Sequence, residues 1–203
     1  QLACDCVVSP ANAYGIMDSG YDLALARALR VPDLDLTAAA QRALAPARGY
    51  APVGTAYLAA LPAGNALGAH ALAVVPTMRR PADVRWHRDV VYDAMWALLC
   101  AIARWNDAVA EEEARTKAEN SANAMTDGDT DADAGAEGAG RSRRIRRILM
   151  TGLATGTGCV SAERAAAQMT LAVKHFARGA FAVRPGGVGW PDVLPAASEV
   201  ERT

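Results

Sequence analysis

Long apolar runs are missing from this chain. None of its 203 residues lies in a stretch approaching the ~18 that a membrane-spanning helix needs, so no transmembrane segment is expected. The N-terminus has no basic region ahead of an apolar run, so no secretory leader is expected either. An excess of one charge is also absent. With 21 Lys and Arg against 22 Asp and Glu, the formal net charge is −1, which argues against the basic footprint of a general nucleic-acid or membrane-surface binder. The four cysteines (Cys4, Cys6, Cys100 and Cys159) form neither a disulfide framework nor a zinc-ligand spacing. Cys4 and Cys6 are expected to point the same way on one strand as packing residues, in a reduced, intracellular protein, cytoplasmic or nuclear. Only three histidines occur, His70, His87 and His175, and none stands in a motif relation to a nucleophile. Aromatics make up 5% of the chain, and alanine dominates a hydrophobic content of 52%, so the core should be tight and built from small residues.

What is present is organised around two stretches. In the first, Val7 and Val8 are β-branched and apolar, and Pro10 stops the strand they begin. Asn12 follows the strand end, and Gly15 and Gly20 admit positive φ or a close backbone approach. Asp22 falls in the first turn of the next helix, where the dipole favours a carboxylate. A strand end, a glycine loop and a helix N-terminus make the usual small-molecule position of an open α/β sheet. The second stretch, residues 148–161, repeats the plan, with small residues that free backbone N–H groups to face an anion. Two such loops at neighbouring strand ends predict a cleft with a phosphate at its floor.

The run Val8-Ser9-Pro10-Ala11-Asn12, followed by Met17-Asp18-Ser19-Gly20-Tyr21-Asp22, resembles the first ligand loop of macro domains. The run Gly152-Leu153-Ala154-Thr155-Gly156-Thr157-Gly158, followed by Ala165-Ala166-Ala167-Gln168-Met169, resembles their second loop and its helix, most closely in the macro-domain-like branch of fungi and phages. The resemblance covers most of the chain outside residues 111–140. It implies a three-layer α/β/α sandwich with a mixed sheet, which the alternation of strands and helices also favours. It further implies ADP-ribose or an ADP-ribosylated protein as partner, with no metal and no other cofactor. Under it, Asn12 and Asp22 hold the distal ribose and the reacting C1″ region and are the catalytic candidates. Ala11, Gly20, Tyr21, Gly152, Thr155, Gly156, Thr157, Gly158, Cys159 and Val160 are the ligand-binding candidates.

Several features depart from that pattern. The opening Ser9-Pro10-Ala11-Asn12 lacks the family's first asparagine, and the glycine run is thinned to Met17-Asp18-Ser19-Gly20. Thr157 stands where many macro domains carry an aromatic lid, and no Gly-Asp-Ile pattern assigns the adenine. An ADP-ribosyl hydrolase, an ADP-ribose 1″-phosphate phosphatase, a reader of ADP-ribosylated proteins and a structural module all remain open. Cys159 precedes a helix N-terminus, where a thiol pKa can fall, but no histidine is paired with it by motif. The spacing of residues 152–158 fits neither a Walker nor a Rossmann fingerprint.

Along the chain, helices are predicted over 21–30, with Leu23, Ala26 and Leu29 inward, and over 37–44, with Thr37 as N-cap. Strands are predicted over 54–61 and 70–78. The longest helix should run over 89–110, with Val91, Met95, Leu98, Leu99, Ile102 and Trp105 on one face. Residues 111–140 are polar and acidic without apolar periodicity, and read as a disordered insertion in one domain spanning 1–203, expected to be a monomer. Asp127, Asp129, Asp131 and Asp133 mimic a calcium loop, but Ala132 and Gly138 break it. The basic cluster 141–147 reads either as a nuclear-localisation or nucleic-acid patch or as charge neutralised by the acidic insertion. A helix over 161–178 should bury Met169, Val173 and Phe176, and residues 185–203 should form an irregular tail. Trp86, Trp96, Trp105 and Trp190 are core candidates.

Overall fold

The computed structural model describes residues 3–31, 35–124 and 143–203. Four short strands, β1 (Cys6–Ser9), β2 (Tyr57–Ala60), β3 (Ala71–Val74) and β4 (Ile148–Leu149), form one sheet in the order β2-β3-β1-β4. β1 runs parallel to both β3 and β4, whereas β2 is antiparallel to β3, so the sheet is mixed. Strand alternation divides the side chains between two faces. Cys6, Val8, Ala71 and Ala73 pack on the side of α3 (Val90–Ala124) and α4 (Ala162–Arg178). Val7, Leu72 and Val74 pack on the side of α1 (Gly20–Leu29) and α2 (Leu36–Ala43). The result is the expected three-layer α/β/α arrangement, and alanines supply much of both buried clusters.

Several local expectations are corrected. Cys4 and Cys6 pack in opposite clusters, because Cys4 precedes the strand and lies outside its alternation. Both thiols are free, and burial pushes Cys6 up to about 12. The N-cap of α2 is Asp35, whose carboxylate accepts from Ala38 N at 3.0 Å. Thr37 instead serves the first loop, where its hydroxyl accepts from Met17 N at 3.1 Å and so ties that loop to α2. In α1 the buried residues are Leu25 and Leu29, with Leu23 and Ala26 half-buried.

The longest helix does carry Val91, Met95 and Leu98 inward, with Leu99, Ile102 and Trp105 partly buried beside them. It does not stop at Ala110. Residues 111–124 continue α3, since glutamate, alanine, lysine and arginine are strong helix formers even where apolar periodicity ends. The rest of the expected insertion, with its four aspartates, lies outside the described residues. Arg144 bonds Glu113 on this extension at 2.9 Å, and the Arg146 and Arg147 amides donate to Asp5, so part of the basic cluster is internally engaged. The stretch 190–201 is also helical, forming α5 (Trp190–Glu201), with Pro191 suited to its first turn and Asp192 accepting from Gly189 N at 2.9 Å.

Helix α4 buries Ala165, Gln168, Ala172 and His175, while Val173 is 44% exposed. Small residues let α4 lie close on α3, and both buried polar side chains are satisfied. Gln168 accepts from Tyr92 N and donates to Arg88 O; His175 bonds the Tyr92 hydroxyl at 3.0 Å and Glu199 at 3.1 Å. Trp96 and Trp105 pack partly buried against the core, but Trp86 and Trp190 are 79% and 75% exposed. Among the described residues, no helix is long and apolar enough to cross a membrane.

Candidate functional site

The central strand sets the geometry. β1 is flanked by β3 and β4, and all three run parallel, so the segments after them leave from the same edge. Their loops enclose a cleft of about 220 Å³, lined by Asn12, Gly20, Tyr21, Asp22, Thr77, Met78 and residues of the run 151–158. A larger cavity of about 870 Å³ lies far along α3, between Glu112, Glu113 and Lys117 and the segment bearing Arg143 and Arg144. It holds none of the candidate residues and no strand-end loop, and its Arg144–Glu113 pair already satisfies part of its charge.

The first loop is built by its own polar groups. The Asn12 carbonyl oxygen Oδ1 accepts from Tyr14 N at 3.0 Å and Ile16 N at 3.3 Å, while Nδ2 donates to Ile16 O at 2.7 Å. Gly15, at φ 64°, lies so close to α2 that a Cβ would stand 3.3 Å from Ala40 Cβ and Leu44 Cδ1. Asn12 thus lines the cleft with both acceptor positions and one of its two N–H donors spent on shaping the loop. Asp22 comes from the first turn of α1, and buried Ser9 donates its hydroxyl to Oδ1 at 2.7 Å. Burial raises the Asp22 pKa, the Ser9 hydrogen bond opposes that rise, and the neighbouring Asp18 charge adds to it. The amides of Gly20, Tyr21 and Asp22 have no acceptor among the described residues, as expected at a helix start.

The second loop works through backbone. Thr155 closes onto Gly152 O with its hydroxyl at 2.9 Å, Cys159 N bonds Gly156 O at 2.9 Å, and Val160 N bonds Ala154 O at 3.1 Å. Ala154 and Cys159 are held at φ 59° and 58°, a strained choice for residues with a side chain. That turn leaves the N–H groups of Gly156, Thr157 and Gly158 with no acceptor among the described residues. A Cβ on Gly158 would stand 2.6 Å from Ala154 O, whereas one on Gly156 would meet nothing within 4 Å. Of the ligand candidates, Gly20, Tyr21, Gly152, Thr155, Gly156, Thr157 and Gly158 line the cleft together. Ala11 is buried behind it, Val160 belongs to the core, and Cys159 is exposed off the lining with its thiol directed to Thr157 O. Among the described residues, no cluster of histidine, cysteine or carboxylate could hold a metal.

No family model and no curated relative matches the chain. Solved structures do. The macrodomain of Mycobacterium tuberculosis DarG is 15% identical, covers 87% of this chain and 85% of its own, and superposes with a TM-score of 0.54. The chain has the macrodomain fold. An Oceanobacillus iheyensis macrodomain with bound MES is similar over 98% of this chain and 85% of its own, at 12% identity and a TM-score of 0.52. A variant of that macrodomain carrying ADP-ribose matches at 11% identity over 98% and 86%, again with a TM-score of 0.52. On this macrodomain fold, the third segment of the cleft, with Thr77, Met78 and Pro81, is what residue patterns passed over. Its signal was present as the strand-to-loop transition at Pro76, which repeats the Ser9-Pro10 arrangement.

Proposed function

We propose that the cleft binds ADP-ribose or the ADP-ribosyl group of a modified protein. The observation that carries this reading is a cleft lined by two donor sets. The free amides of Gly156, Thr157 and Gly158 belong to the loop after β4, and those at the N-terminus of α1 to the loop after the neighbouring β1. Such paired amides, reinforced by a helix dipole, suit a diphosphate. A volume of about 220 Å³ falls below the roughly 300–1,000 Å³ of sites that engulf a whole ligand. The enclosed part therefore takes the diphosphate and terminal ribose, and the adenosine end runs out over the mouth.

Asp22 is the one carboxylate among the described lining residues, and it carries the catalytic role in the finer reading. There, it orients a water toward C1″ of an ADP-ribosyl-protein, or toward the terminal phosphate of ADP-ribose 1″-phosphate, beside the ligand's own phosphate oxygens. Asn12 contributes by fixing the loop that presents the start of α1. The commitment of its amide favours a second reading, a non-catalytic reader of ADP-ribosylated proteins. Titration calorimetry with ADP-ribose tests the binding, using Gly156→Glu as control. The side chain enters open space, so the fold persists while bulk and charge fill the phosphate position. Binding by the parent that vanishes in the variant supports the reading, and no heat with the parent overturns it. Release of ADP-ribose from a modified protein, lost in Asp22→Ala, separates hydrolase from reader.

A further inference from the structure

Thr77 follows β3 and is fully buried, at 0% exposure, yet its hydroxyl Oγ1 has no hydrogen-bond partner among the described residues. Its backbone is settled, since Thr77 N donates to Ala11 O at 3.1 Å, and the bridge between Asn12 and Met78 follows directly. One other buried side-chain atom is unmatched among the described residues, Nε of Arg164, but that guanidinium already donates to the carbonyls of Arg85, His87 and Arg88. Thr77 has a single polar side-chain atom, and no described group meets it. A buried hydroxyl left unpaired costs stability and calls for a reason. Thr77 also lines the cleft.

We infer that Thr77 is a ligand-contacting residue whose hydroxyl bonds a hydroxyl of the terminal ribose. The inference rests on the reading of the cleft as an ADP-ribose site. The sheet order separates Thr77 from the free amides of Gly156, Thr157 and Gly158: it follows β3, they follow β4, and β1 with the start of α1 stands between. The diphosphate already has those amides and the start of α1. A neutral hydroxyl, both donor and acceptor, matches a sugar hydroxyl on the remaining side.

The experiment is Thr77→Val, which keeps the branched shape and removes the oxygen, with Thr77→Ser as the conservative partner. Calorimetry with ADP-ribose and with ADP is combined with thermal unfolding of the ligand-free proteins. In Thr77→Val, ADP-ribose binding weakens by about 3- to 10-fold while ADP binding is unchanged, and Thr77→Ser retains parental affinity. The ligand-free valine variant melts about 2–4 °C higher, because a buried unpaired group has been removed. Unchanged ADP-ribose affinity in Thr77→Val, with the parent binding normally, overturns the contact. Equal loss for ADP and ADP-ribose places the bond on a group that the two ligands share and overturns the assignment to the terminal ribose. A lower melting temperature means that the hydroxyl is already satisfied in the free protein, which removes the premise. Failure of the parent to bind either nucleotide is a failure of the cleft reading itself, and the role of Thr77 falls with it.

Discussion

The two loops that wall the cleft distribute their hydrogen bonds in opposite ways. The first directs its polar groups to itself and its neighbours: Asn12 to Tyr14 and Ile16, Met17 N to Thr37, and Gly15 N to Asn12 O. The second uses carbonyls and a threonine hydroxyl for its own closure and leaves three consecutive amides free among the described residues. One loop is therefore a bracket that aims Asp22 and a helix start. The other is a receptor made of backbone. Side-chain identity should matter in the first and backbone path in the second.

The sharpest way to break that contrast is to alter the path of the second loop. Gly158→Ala sets a Cβ against Ala154 O and Val84, and should cost about 2–3 kcal/mol in urea unfolding while abolishing ADP-ribose binding. Gly156→Ala, two residues away, should leave unfolding within about 0.5 kcal/mol of the parent, since its Cβ enters open space. In the first loop, Asn12→Ala removes an amide with three bonds and should cost about 1–3 kcal/mol, with affinity falling through a displaced α1 start. Thr37→Val should cost about 1 kcal/mol by orphaning Met17 N, a side-chain effect reaching the same loop from outside the cleft.

The smallest effect is a pH slope. The folded-state pKa of Asp22 is raised, so burial of its charge costs most above that pKa, and the cost is relieved as pH falls through it toward the unfolded value near ~3.9. Asp22→Asn should remove that relief, leaving a flatter stability profile between neutral and mildly acidic pH, as measured by denaturant midpoints.

Much of the cleft could be read from residues because glycine and proline punctuate strand ends. Pro10, Gly20 and the run 152–158 mark where the backbone turns, and a turn at a parallel strand end is where ligands sit. The role of Asn12 could not be read that way, since an asparagine that caps its own loop and one that faces a ligand share the same sequence position. Thr77 was hidden for a different reason: its meaning lies in a partner that is missing, and sequence records no absences of contact. In α3, apolar periodicity ends at about Ala110 while charged helix formers continue to Ala124, so pattern and propensity disagreed, and propensity won. In α4, periodicity favoured Val173, but packing against α3 selected the alanines, Gln168 and His175.

β1 has hydrogen-bonded neighbours on both sides, while β4 is a two-residue strand at the sheet edge, half-buried, with the amide receptor hanging from its end. In hydrogen exchange, amides of β1 should therefore open only with the whole domain, and the bonded amides of β4 by local fraying. An anion captured by the second loop would close that gap in protection, so the strand least secured by the fold is the one that occupancy would secure.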